Sequence, residues 1–326
     1  MKESLFFINL HEERMGMQTT ITTMTTNRPK KSCIKTIFSF KEQYMMMLPT
    51  IILISLFGIY PILYVLGYSF TEFNGFSPEK FVGLENYLTV IKDSSWWITV
   101  WNTVIMGVGI PAIQLPLALL LAILLNIKFT GRDFFRAVIF VPNITSTAIM
   151  GIIFFFMFSS YNGIVNAILQ EFKLITQPIE WFGDPWLAKL VVIIFCTWSG
   201  VGFYMVLFLS ALQRIPEDVY ESAKIDGAGR SATFFKITLP MMGKMFQIIT
   251  SLSIINALKL FDSVKALTNG GPGNGTEVMA MYIFRYYFEN ANSQVGYASA
   301  VSIVATILVG IVTAIYMFMT KKFEDA

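Results

Sequence analysis

The sequence predicts an all-α, polytopic membrane protein with six transmembrane helices, and three observations carry that expectation. Its 326 residues are 55% hydrophobic and only 14% charged, with a mean hydropathy of +0.60, where a soluble domain carries about 25% charged residues. The charges gather into clusters separated by charge-free windows, each long enough for the roughly 20 apolar residues that cross a hydrocarbon core as a helix. The net charge is only +3, which together with the apolar composition excludes a disordered chain. The length excludes a simple anchor.

The first window runs from about Met45 to Phe70, free of charge between Glu42 and Glu72. The second lies within Ser94 to Ile127, the third within Ala137 to Gln170 and the fourth within Leu190 to Gln213. A fifth, from about Met245 to Thr268, carries Lys259, Asp262 and Lys265 in its second half, and the sixth lies within Asn290 to Thr320. An even number of spans puts both termini on one side. Segments 1–44, 127–136, 211–244 and 319–326 hold 17 of the 24 Lys and Arg residues, against 5 in the opposite set 71–97, 159–189 and 269–295. Basic loops stay inside, so both termini and the 211–244 loop are expected in the cytoplasm. Trp96, Trp97, Trp101, Trp181 and Trp186 then fall near the outer boundary, as an aromatic belt.

Residues 1–44 form the expected N-terminal tail, 45–320 the transmembrane domain and 321–326 a short cytoplasmic C-terminal tail. The N-terminal tail has a Thr-rich patch at Thr19–Thr26, followed by Arg28, Lys30, Lys31 and Lys35. It has no small-residue cleavage site behind a short apolar core, so it does not read as a removed signal peptide, and its composition predicts cytoplasmic disorder. Met15, Met17 and Met24 are alternative starts to Met1. Cys33 and Cys196 lie far apart without metal-ligand spacing, and His11 is the single histidine. Disulfide, zinc and histidine-dependent chemistry therefore have little to stand on. No Gly-x-x-x-x-Gly-Lys-Ser/Thr loop occurs, so ATP binding of that kind is not expected in this chain.

The 211–244 loop is the most informative stretch. Pro216 can open a helix, with Glu217 and Asp218 at its positive end. Gly227 and Gly229 offer left-handed positions to end it. Val219, Tyr220 and Ala223 share one face, and the small Ser222 and Ala223 would let another protein approach closely. In form this is a docking element, although an ordinary capped surface helix fits the same signs.

Glu221-Ser-Ala-Lys-Ile-Asp-Gly227, nine residues, then Ile237-Thr-Leu-Pro240 resembles the EAA motif of ABC importer permeases, with Ser222 in place of the first Ala. The resemblance implies a coupling helix seated in a groove of an ATPase subunit, with Glu221, Ser222, Ala223, Gly227, Ile237, Leu239 and Pro240 as the coupling residues. Leu267-Thr-Asn-Gly-Gly-Pro272 followed by Thr276, Phe81-Val-Gly-Leu-Glu-Asn-Tyr87 and Ala223-Lys-Ile-Asp-Gly-Ala228 resemble the carbohydrate branch related to the maltose transporter. The turn around Gly270, Gly271, Pro272 and Gly273 would sit where the fifth span emerges. The resemblance covers roughly residues 45–320 and implies the MetI-like, maltose-type permease fold. It also implies the partners: a second homologous permease, an ABC ATPase dimer, an extracytoplasmic sugar-binding protein and membrane lipid, but not nucleic acid. The chain itself would need no cofactor, ATP-Mg being held by the ATPase subunits, and would lie in a bacterial cytoplasmic membrane.

Polar residues inside spans face a cavity or a neighbouring helix. Pro142-Asn143-Ile-Thr145-Ser146-Thr147, Cys196-Thr-Trp198-Ser199-Gly200, and Ser251, Ser253 and Asn256 supply amides, hydroxyls and an aromatic face of the kind that binds sugars. By the resemblance, Thr145, Ser199, Gly200, Ser253 and Asn256 are substrate-path candidates, with Trp198 as a stacking surface. Helix packing would use the same residue types. Lys259, about 13 Å below Thr268 at 1.5 Å per residue, can pair with Asp262 three residues on, Lys265 extending the row. Alternatively, Lys259 meets an acidic group of the substrate. The function expected is ATP-driven carbohydrate import by alternating access. A secondary sugar transporter driven by an ion gradient is the alternative, but it would want several intramembrane carboxylates or histidines, and only Asp262 lies clearly in a span. No catalytic constellation suggests a membrane enzyme.

Overall fold

The computed structural model describes residues 41–76, 79–289 and 294–321. The expected N-terminal tail lies outside the described residues apart from its last few, as do His11, Cys33 and the C-terminal tail beyond Lys321. The chain forms two compact units, residues 1–62 and 63–326. What is described of the first is one helix. That helix, α1 (Glu42–Tyr68), is the first span. It widens to a π turn at Ser55–Ile59, just ahead of Pro61, whose ring nitrogen has no hydrogen to donate.

Within the second unit, an antiparallel ribbon of β1 (Thr71–Glu72) and β2 (Lys80–Phe81) leads to the short helix α2 (Glu85–Lys92). The second span is α3 (Ser94–Asn126), 33 residues unbroken by Pro111 or Pro116. The fourth is α7 (Pro185–Leu212) and the sixth α13 (Val295–Lys321). The side chain of Asp93 caps α3 by accepting from Ser95 N at 2.9 Å, and that of Asp184 caps α7 through Trp186 N and Leu187 N, satisfying amides with no partner in their own helix. α7 starts earlier than its charge-free window because Lys189 is accommodated in it, buried, 4.4 Å from the Trp186 ring.

The third and fifth spans are not the single helices expected. α4 (Arg132–Ile144) and α5 (Thr147–Met157) meet at 95°. Pro142 sits in the last turn of α4, Thr145 is extended and Ser146 is non-helical at ψ 121°. The remainder of the third window becomes a separate short helix, α6 (Ile164–Glu171). The loop of 213–229 carries α8 (Glu217–Ile225). Beyond it, α9 (Arg230–Met241) and α10 (Gly243–Leu258) meet at 72°. α10 then stops, and the chain resumes as α11 (Asp262–Leu267) after the non-helical Phe261 at φ −142°. Four helices are long and apolar enough to cross a membrane, and the two bent pairs complete six spans. After α11 a turn at 268–278 leads into α12 (Met279–Phe284).

Apolar side chains hold the second unit in three clusters. One joins α3, α5 and α7 through Met106, Ile110, Phe154 and Phe195, a second joins α3, α7 and α10 through Leu115, Ala118, Tyr204, Phe208 and Ile249, and a third joins α3, α12 and α13 through Trp96, Tyr282 and Val301. Trp96 is thus core, its ring 5.6 Å from Tyr282, whereas Trp97, Trp101 and Trp186 are exposed. Small residues let backbones approach: a Cβ on Gly202 of α7 would collide with the Ile139 carbonyl oxygen and lie 2.9 Å from Phe140 Cα in α4. Asp93 fastens the start of α3 to α12 and α13, accepting from the Tyr282 hydroxyl and, at 2.8 Å, from that of Tyr297. Burial pushes the Asp93 carboxyl up, but these hydrogen bonds outweigh it and leave the carboxyl below its ordinary value.

Two expectations follow from these contacts. Gly202→Ala should destabilise the protein by about 1–3 kcal/mol, the usual cost of overpacking. Gly310→Ala, where nothing lies within 4 Å, should by contrast raise thermal stability in detergent slightly, by up to about 1 kcal/mol, since Ala suits a helix interior better than Gly. Folded Asp93 binds its proton more weakly than unfolded Asp, so its contribution is complete above the ordinary value of 3.8 and fades as pH falls through the lowered one. Asp93→Asn should flatten that part of the acid stability profile while lowering stability at neutral pH.

Candidate functional site

The broken spans converge on a cavity of about 180 Å³. α3 contributes Gln114, α4 Asn143, α7 Ser199, Gly200 and Tyr204, α10 Ser253 and Asn256, and α11 Ser263, with Ile110, Ala257 and Leu260 as apolar wall. The break after Leu258 releases Leu260 to the wall, and the α4–α5 bend leaves Asn143 there. The polar lining is partly tied together. Gln114 Nε2 donates to the Cys196 carbonyl at 2.9 Å, Ser253 donates to Gln114 Oε1 at 3.3 Å, and Asn256 Nδ2 donates to the Tyr204 hydroxyl at 3.1 Å. No carboxylate, lysine or arginine lines the cavity among the described residues. Amides and hydroxyls in an apolar frame suit an uncharged ligand rich in hydroxyl groups.

Of the sequence candidates, Ser199, Gly200, Ser253 and Asn256 are brought together here. Thr145 is not. It lines a neighbouring pocket of about 90 Å³ that shares Asn143 and Ser199, and its hydroxyl donates to the Val141 carbonyl at 2.9 Å. Trp198 is outside both linings, its ring packed 5.2 Å from Phe154. Lys259 is exposed at the end of α10, adjacent in sequence to the lining residue Leu260. The expected Lys259–Asp262–Lys265 row does not form among the described residues. Three-residue spacing makes neighbours only within a helix, and the helix is interrupted between Lys259 and Asp262, while Lys265 pairs instead with Glu289. Gln114, Asn143, Tyr204 and Ser263 are lining residues that were not among the candidates. Gln114 was legible as an amide deep in an uncharged window, the same signal used on the other spans.

The predicted coupling segment is a capped helix anchored from beneath. Ala228 N donates to Ala223 O at 2.9 Å and Gly227 takes φ +74°, the left-handed close of a helix. Glu221, Ser222 and Gly227 are exposed, but Ala223 is buried, 6% exposed. Ala223 therefore faces this chain, contrary to the expectation that its small size opens room for another protein. Val219, Tyr220 and Ile215 pack into the α3–α7–α10 cluster, and the Tyr220 hydroxyl lies 3.3 Å from that of buried Thr238. Ile237 and Leu239 are half-buried beside Thr238, and Pro240 is exposed.

The glycine-rich turn is pinned to α3. Asn269, Gly270, Gly273 and Asn274 have positive φ, conformations open to Gly and Asn. Thr276 bonds Thr268 Oγ1 and Gly271 O, both at 2.7 Å, and Asn102 Nδ2 donates to the carbonyls of Asn274 and Glu277, both at 3.0 Å. Glu277 is fully buried with Arg285 Nη2 2.9 Å from its Oε1. Burial pushes its carboxyl above the ordinary range despite that guanidinium.

Residues 114–325 match the family model described as "binding-protein-dependent transport system inner membrane component". The chain is 36% identical over 279 residues to the lactose transport system permease protein LacF of Rhizobium radiobacter, covering 84% of this chain and 92% of that one. It is 34% identical over 286 residues to the trehalose/maltose transport system permease protein MalF of Thermococcus litoralis, covering 87% and 95%. Among solved structures, a chain of a bacterial ABC transporter involved in import of the acidic polysaccharide alginate superposes with a TM-score of 0.75 at 22% identity, covering 88% of this chain and 98% of that one, which shows a shared fold.

The anchoring of α8 generates a contrast. Ala223→Leu overfills a buried position and should cost about 1–3 kcal/mol, increasing protease cleavage within 216–229. Ser222→Leu, on the exposed face, should leave both stability and cleavage as in the wild type.

Proposed function

The chain belongs to the family of binding-protein-dependent transport system inner membrane components, and on that premise we propose that it is the permease subunit of an ATP-driven importer of a sugar or oligosaccharide. The observation that carries this is mechanical. Val219 and Tyr220 of α8 pack into the same cluster of α3, α7 and α10 that contains Tyr204, which also lines the polar cavity. A push on α8 therefore reaches the cavity through packed side chains. Such packing has discrete arrangements rather than a continuous range, as alternating access requires. The named activities of the lactose and trehalose/maltose relatives support a carbohydrate, as do the amides and hydroxyls of the lining.

In this reading the basic segments, 211–244 included, face the cytoplasm, and the turn at 268–278 faces outside, toward a sugar-loaded binding protein. ATP is bound and hydrolysed by a separate ATPase dimer that receives α8 through Glu221, Ser222 and Gly227, while a second permease completes the pathway. The relatives favour this over an ion-gradient transporter. Lys259, outside the uncharged lining, is proposed to meet any acidic group of the substrate.

Affinity purification of the tagged chain from its native membrane in mild detergent, with co-purifying chains identified by mass, tests the assembly. A second permease and an ATPase are expected; a solitary chain that moves sugar on an ion gradient without ATP would overturn the proposal. Glu221→Lys and Gly227→Val should reduce uptake at least about tenfold, the equivalent of about 1.4 kcal/mol in coupling, while the chain remains in the membrane. Normal uptake in both would remove α8 from the mechanism. Lys259→Met should weaken apparent affinity for an acidic saccharide and leave that for a neutral one intact.

A further inference from the structure

Gln114 is 4% exposed, the side chain of α3 that reaches both α7 and α10 at the cavity. Its orientation follows from its partners. The Cys196 carbonyl, 2.9 Å away, can only accept, so the amide nitrogen faces it, and Ser253 must then donate to Oε1. A primary amide has two donor hydrogens and two acceptor positions, and these bonds use one of each. The donor and acceptor left unused among the described residues belong to a group that lines the cavity, a combination that fits a sugar hydroxyl, itself both donor and acceptor.

Gly200 explains why the amide can sit there. A Cβ at Gly200 would lie 2.5 Å from Gln114 Nε2, and the three heavy atoms nearest to it all belong to Gln114. The absent side chain of Gly200 is therefore filled by the Gln114 amide. That gives Gly200, a substrate-path candidate by resemblance, a different role: it holds open the place of a residue on another span.

We propose that Gln114 is a specificity-determining residue of the cavity, binding one hydroxyl of a neutral saccharide and limiting the saccharide's size, with Gly200 as the notch that positions it. This rests on the cavity being the carbohydrate site. Removing the amide enlarges the cavity and deletes one donor and one acceptor. Adding a methyl group at Gly200 expels the amide from its bonds to Cys196 and Ser253 without touching the other lining groups.

The test uses the full chain with its native partner subunits, carrying Cys33→Ser so that Cys196, which lines the cavity, is its remaining thiol. Two quantities are measured for Gln114→Ala, Gln114→Met, Gly200→Ala and the Gln114→Ala/Gly200→Ala double variant. They are the apparent KM for uptake of labelled lactose, trehalose, maltose and maltotriose, and the rate of Cys196 modification by N-ethylmaleimide in the purified complex. Gly200→Ala should raise KM about tenfold. The double variant should return to within about threefold of Gln114→Ala alone, the non-additivity expected of residues in contact. Gln114→Ala should shift preference toward the trisaccharide and speed Cys196 modification. Gln114→Met, of similar bulk but without the amide, should raise KM and leave modification near the wild-type rate. A double variant whose KM rises by the product of the two single effects, or unchanged KM and size preference in Gln114→Ala, overturns the proposal. If none of the four sugars is taken up, an unchanged modification rate in Gln114→Ala overturns it alone. Failure of the cavity assignment is separable, because Ser199→Ala and Asn256→Ala would then also leave KM unchanged.

Discussion

Hydrocarbon offers no hydrogen bonds to a peptide group, and the architecture of this chain follows from where that demand is met and where it is relaxed. The uninterrupted spans α3, α7 and α13 satisfy their amides internally, and Asp93 and Asp184 cap the first turns of α3 and α7. Interruptions occur at 145–146, 242 and 259–261. Those in α4–α5 and α10–α11 adjoin the polar cavity, where irregular backbone at membrane depth is tolerated. The same breaks turn Asn143, Leu260 and Ser263 toward a common space. Cavity and broken helices are one feature seen from two sides.

That relation explains what was readable in the sequence. Charge-poor windows mark the spans because a charge in lipid is costly: the first, second, fourth and sixth windows correspond to single helices, and the third and fifth overlap the bent pairs. The bends are hidden because no charge marks Pro142–Ser146 or Met242–Gly243, and a proline alone does not locate one: Pro111 and Pro116 leave α3 unbroken. The α8 cap was legible from Pro216, Glu217 and Gly227, each acting within a few residues of itself. The direction in which Ala223 points was not, since a small residue suits a buried seat and an open face equally. Trp96 misled for a similar reason: a tryptophan near a boundary reads as belt until Tyr282, far away in sequence, is found against it.

The site itself was half legible. Hydroxyls and amides on α7 and α10 announced themselves by their cost in lipid, whereas the role of Gly200 depends on an atom of α3 that no local pattern connects to it. The row Lys259, Asp262 and Lys265 failed as a unit because periodicity presupposes the helix whose continuity was in question. Polar positions mark where a pathway lies; which of them meet is decided by contacts between residues more than 50 positions apart, as with Gln114 and Cys196 or Asn256 and Tyr204.

The meeting of Gly202 with Ile139 has a mechanical consequence. Where two helices touch through side chains, rotamer changes let one slide past the other like a bearing. Between α7 and α4 backbone rests on backbone, and no rotamer can absorb a displacement there. That seam behaves as a weld. The cavity wall is thereby divided into a rigid part that carries Asn143, Ser199 and Tyr204, and an articulated part, α10 with its bent ends, that carries Ser253 and Asn256. A solute held between them would be released when the articulated part swings, the welded part serving as the fixed jaw.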